Sequence, residues 1–160
     1  MTERKYLPTI ADLIDRLSIT LMKSIFLDRK NYREEMKLLL SDIDSLWYDW
    51  KHEGKDVCPS HWIYPVLVLM LANRYIWENE GNIRTTPITE STPFGYRDVA
   101  KRLILTHSIN GVRNRAKNEI SKIFSERADY KIDCLAADLH PDFGNWRVFD
   151  DDGPASASSG

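Results

Sequence analysis

A chain of 160 residues with 42% hydrophobic and 29% charged side chains is long enough to bury a core in one domain, and its composition excludes disordered or fibrous classes. Its 22 Lys and Arg against 24 Asp and Glu give a formal net charge of -2, which excludes a global basic field for extended nucleic acid, so any anion site must be local. Cys58 and Cys134 have neither metal-ligand spacing nor a disulfide framework and read as reduced thiols of a cytoplasmic protein.

The opening Met1 to Pro8 has no apolar core or small-residue cleavage site, so export is not expected. The most apolar run, Trp62 to Ala72, contains Tyr64 and Pro65 and is well short of the ~20 residues needed to cross a bilayer. No membrane partner is expected.

Taken in chain order, the elements are helices. Thr9 is a candidate N-cap, and Ile10, Leu13, Ile14, Leu17, Leu21 and Ile25 follow at helical spacing, predicting a first helix over about 10–28. Ile19, Met22 and Phe26 lie on its other sides, as expected of a central helix. Asn31 and Glu34 have capping-box spacing ahead of Tyr32, Met36, Leu39, Leu40, Ile43, Leu46, Trp47 and Trp50, which predicts a second helix over about 32–51. The short connection makes these two an antiparallel hairpin, closed by Gly54 and Pro59.

A third helix is expected over about 61–80, starting near Ser60, with Pro65 tolerable only in its first turn and Gly81 as its stop. From Gly81 to Gly95 the chain reads as a long surface loop, a lid or a partner-binding element. A fourth helix over about 96–127, interrupted only by Gly111, precedes a short C-terminal helix or turn at Lys131 to Leu139. The expected fold is all-α: one four-helix bundle over 1–149 and a disordered acidic and small-polar tail over 150–160.

The fourth helix carries the chemistry. At 100° per residue Thr106, His107, Asn110, Arg113, Asn114 and Lys117 fall within about 60° of one direction, while Leu105, Ile109, Val112, Ala116, Ile120 and Ile123 form a separate apolar face. His, Asn, Arg and Lys together suit an anion, with Arg supplying a planar fork, Lys a point charge and Asn a donor and an acceptor. A solvated face with Arg113 or Lys117 paired to a neighbouring carboxylate explains the same residues. Against that stands the use of His and two Asn, poorer helix formers than the Glu and Lys of ordinary surface helices.

Asp12 and Asp15, one turn apart on the first helix with Arg16 adjacent, are candidate Mg²⁺ ligands, or first-turn acids favoured by the helix dipole. Asn73, Trp77 and Glu80 share a face of the third helix, which would set an aromatic surface beside polar groups. No nucleophile elbow, phosphate-binding loop, zinc-protease helix or dinucleotide fingerprint is present.

The stretches Leu13-Ile-Asp-Arg-Leu-Ser-Ile19 and Leu105-Thr-His-Ser-Ile-Asn-Gly-Val-Arg-Asn-Arg-Ala-Lys-Asn118 resemble a group of small helical proteins from phages and bacterial gene clusters. That resemblance implies a helical fold, with Asp15, Arg16, Asn110, Arg113 and Asn114 as shared polar positions, and supplies no activity. More loosely, the chain is similar to the all-α nucleoside triphosphate pyrophosphohydrolases of the MazG type, which bind Mg²⁺ through paired acids on bundle helices. The chain departs from that pattern: it has Asp12-x-x-Asp15 and Glu126-x-x-Asp129 but no Glu-x-x-Glu in a helix.

The expectation is a cavity in the bundle that binds a nucleotide or other phosphorylated small molecule through His107, Asn110, Arg113, Asn114, Lys117, Arg16 and Trp77. Were the ligand hydrolysed at phosphate, Asp12 and Asp15 would hold Mg²⁺. The competing expectation is a non-catalytic, phage-encoded interaction protein that binds a host protein or sequesters a signalling ligand through the 81–95 loop, using some of its five Trp and seven Tyr. A homo-oligomer formed through the second helix is a third.

Overall fold

The structure, a computed structural model, describes residues 7–27, 30–54, 58–85 and 95–127. Four α-helices account for nearly all of them, with no strand among the described residues: α1 (Ile10–Phe26), α2 (Lys30–His52), α3 (Pro59–Thr85) and α4 (Gly95–Ile123). The fold is an all-α four-helix bundle. No helix is long and apolar enough to cross a membrane among these residues.

The contacts between helices fix their directions. Near its start α1 sets Ile10 into the same core cluster as Trp50 of α2, and near its end Lys23 lies over the Tyr32 ring, so α1 and α2 are antiparallel. Asp15 meets Asn73 and Phe26 stacks on Trp77, so α1 and α3 run parallel. Asn79 bonds Arg102 and Thr106 while Trp62 and Phe124 share a cluster at the far end, so α4 returns antiparallel to α3. This is an up-down-up-down arrangement. As expected of its apolar circumference, α1 packs against all three other helices.

Sequence explains most of the packing. Thr9 caps α1 in a complete capping box, its hydroxyl accepting from the Asp12 amide at 3.1 Å while the Asp12 carboxylate accepts from the Thr9 amide, which satisfies two otherwise orphaned donors. The apolar face of α4 is buried at Leu105, Ile109, Val112, Ala116 and Ile120, and Leu69, Ile109 and Ile120 are the largest fully enclosed side chains. Each such burial is worth roughly 1.5–3 kcal/mol. At one end Trp47, Trp50, Trp62 and Phe124 pack ring against ring with centroids 5.3–5.8 Å apart.

Several helix ends differ from the sequence expectation. α2 already begins at Lys30, which puts Asn31 inside its first turn and not at the cap. α3 begins at Pro59, a position where the missing N–H costs nothing, so Pro65 falls in the second turn and withdraws the donor that would bond the carbonyl of exposed His61. The same helix passes through Gly81 to Thr85, because Gly81 keeps helical backbone and the Arg84–Glu80 pair and the Thr85 hydroxyl bond to the Gly81 carbonyl continue the turn. Residues 81–85 are therefore helix and not loop; 86–94 lie outside the described residues, as do the 131–139 element and the 150–160 tail.

α4 stops at Ile123 instead of 127. Ser125 takes a left-handed backbone, φ 55°, with its amide bonded to the Lys122 carbonyl at 3.1 Å and the Glu126 amide to the Ser121 carbonyl at 2.8 Å. This is a Schellman cap with serine in the position glycine usually fills. Its consequence is tertiary. The turn carries the Glu126 carboxylate onto the N-terminus of α1, where both oxygens lie 2.9 Å from the Ile10 amide.

Candidate functional site

The polar stripe of α4 meets the acidic face of α1. Arg113 donates from Nε and Nη2 to the two oxygens of Asp15 at 3.0 and 2.6 Å, a fork-to-carboxylate pair, and from Nη1 to Asn110 Oδ1 at 3.2 Å. One turn along, Lys117 Nζ lies 2.8 Å from Asp12 Oδ1. The two rungs run in opposite chain directions, as antiparallel helices require.

Asp15 is buried and needs every partner it has. Asn73 of α3 donates from Nδ2 to Asp15 Oδ1 at 2.8 Å and to Ser18 Oγ at 2.7 Å, and the Ser18 hydroxyl donates to the Asp15 carbonyl. Three helices are tied through one carboxylate. A second tie lies between α3 and α4, where Asn79 donates to Thr106 Oγ1 and to the Arg102 carbonyl.

Beside this network lies a cavity of about 510 Å³ between α1 and α3, within the range of small-molecule sites. Its walls are Ile19 and Met22 of α1, Leu27 at the C-cap of α1, and Ile76 and Trp77 of α3; Asn73, Glu80, Gly81 and Arg84 of α3, Lys23 of α1 and Arg113 of α4 complete it. Trp77 is held in place by its stack on Phe26, centroids 6.5 Å apart, with the Arg74 guanidinium 4.5 Å from the Phe26 ring centroid. A fixed indole beside cations can bind a planar, negatively charged molecule.

Of the residues singled out from sequence, Arg113 and Trp77 line this cavity together with Asn73 and Glu80, the two that share a face with Trp77. His107, Asn110, Asn114, Lys117 and Arg16 do not line it. His107 sits on the opposite edge of the stripe from Arg113, about 120° round the helix, and is exposed. Asn114 is half-buried, and Arg16 turns to α2, where it pairs with Glu35 at 2.9 Å. Asp12 and Asp15 are both engaged by cations, and no group of three metal-ligating side chains occurs among the described residues. Lys23 and Arg84 are the cavity cations that the sequence did not single out; Arg84 was hidden by the reading of Gly81 as a helix stop.

Burial pushes Glu126 above its ordinary value of 4.5, outweighing the Ile10 and Ala11 amides that favour its charge. For Asp12 burial acts in the same direction but loses to the Lys117 and Thr9 hydrogen bonds, leaving its carboxyl below the ordinary 3.8. No protein-family model, curated protein or solved structure matches the chain.

Proposed function

We propose that the α1/α3 cavity binds a nucleotide or other phosphorylated small molecule. The observation that carries this reading is the meeting, in one cavity of suitable size, of a stack-fixed Trp77 with Lys23, Arg84 and Arg113. The indole would take the flat part of the ligand and the cations its phosphate. Scanning fluorimetry with nucleotides, unphosphorylated nucleosides and inorganic phosphate tests it. Nucleotides should raise Tm, nucleosides should not, and Trp77→Leu should abolish the response; a flat profile across the panel would defeat the reading.

A second reading, a non-catalytic partner-binding protein, has its own observation. Ile63, Tyr64, Leu67, Met70 and Leu71 of α3 are all exposed, and at 100° per residue they share one face over three turns. A second copy of the chain is the simplest occupant. Light scattering should then give twice the monomer mass, falling to the monomer in Leu67→Lys/Leu71→Lys.

A further inference from the structure

The charges around the cavity limit how many phosphates it can hold. Among the described residues its lining contains three cations, Lys23, Arg84 and Arg113, and one carboxylate, Glu80. Two of the cations are committed: Arg84 pairs with Glu80 at 2.8 Å, and Arg113 is gripped from behind by Asp15. Among the described residues Lys23 is held only by the Tyr32 ring, 5.8 Å from its Nζ. Counting Asp15 with the lining leaves one net positive charge.

The backbone lowers that further. α1 and α3 run parallel and both end beside the cavity, Leu27 and Arg84 belonging to its lining, so two helix C-termini, each equivalent to roughly half a negative charge, lie next to the same space. A triphosphate would need either more cations or a metal. Glu80 is the only carboxylate among the described lining residues and is already paired; Asp12 and Asp15 point their oxygens at Lys117 and Arg113. A Mg²⁺–phosphate unit prefers carboxylates that keep free oxygens for it.

On the reading that this cavity takes a nucleotide, we infer that the ligand carries a single phosphate group and binds without a divalent cation, with Lys23 as its main electrostatic contact. Calorimetric titration of the full chain with AMP, cyclic AMP and ATP, each with and without Mg²⁺, separates the outcomes. One-phosphate probes should bind at least as tightly as ATP, Mg²⁺ should leave them unchanged, and Lys23→Gln should weaken them roughly tenfold. Lys23 is half-buried near the end of α1 and touches no buried network, so its replacement leaves the fold intact, as the thermal transition should verify. If ATP binds tenfold tighter than AMP, or only with Mg²⁺, the single-phosphate inference falls while the nucleotide reading stands. If none of the three binds, both fall.

Discussion

Arg113 and Asp15, 98 residues apart in sequence, form the pair that joins α4 to α1: the guanidinium fork closes on a carboxylate that is only 6% exposed. Such a pair adds little net stability over an apolar substitute, since both charges lose water to form it. Breaking it is another matter. Among the described residues the surviving carboxylate would keep only Asn73, and the surviving guanidinium would keep Asn110 and an opening to solvent.

Asp15→Asn and Arg113→Met should therefore each destabilise by about 2–3 kcal/mol, with the double variant less destabilised than the sum by about 1–2 kcal/mol. Urea denaturation of the four proteins measures this cycle. Additive effects within roughly 0.5 kcal/mol would mean that the pair is not coupled in solution.

Asp12 and Glu126 should move stability in opposite directions with pH. Asp12 titrates lower in the folded chain than its ordinary 3.8, so its contribution is present above that value and is lost as pH falls through the lower one. Glu126 titrates above its ordinary 4.5, so the folded state favours its protonated form and stability declines as pH rises through the raised value. Wild type should then lose its advantage over Asp12→Asn below about pH 4 and should gain on Glu126→Gln as pH falls from 7 towards 4. Denaturation midpoints of the three proteins across that range supply the test, and parallel curves would contradict it.

Removing the Thr9 hydroxyl tests the same corner without a change of charge. In Thr9→Ala the Asp12 amide loses its acceptor, at a cost of about 1 kcal/mol. Thr9→Ser keeps the oxygen and should recover most of the loss in the same urea experiment.

Local signals made the frame legible. Thr9 as cap, the apolar face of α4 and the shared face of Asn73, Trp77 and Glu80 depend on neighbours a few residues away, and each is found in the fold. The partner of the α4 stripe was not legible, because nothing in 106–117 says which neighbouring helix covers which edge. α1 covers the Arg113 edge, which turns Arg113 and Lys117 into ion-pair partners, while His107 on the other edge stays exposed. Charge pairing was among the readings of those residues, but only the packing chooses it. Lys23 and Arg84 were missed for a related reason: each lies in the last turn of its helix, where a cation needs no ligand to explain it.

Two glycine exchanges test the helix ends that the sequence misplaced. Gly81 lies inside α3 without a left-handed φ, and a Cβ built there meets nothing within 4 Å. Gly81→Ala should stabilise by about 0.5–1 kcal/mol, through less unfolded-state freedom and better helix propensity. At Ser125 the logic reverses. Its φ of 55° is costly for a residue with a Cβ, so Ser125→Gly should stabilise by about 0.5–1 kcal/mol, while a β-branched Val there should destabilise by more. Thermal unfolding of the three variants checks both. If Gly81→Ala lowers Tm, α3 does not continue past Gly81 in solution; if Ser125→Gly lowers it, the cap that delivers Glu126 to α1 is built differently.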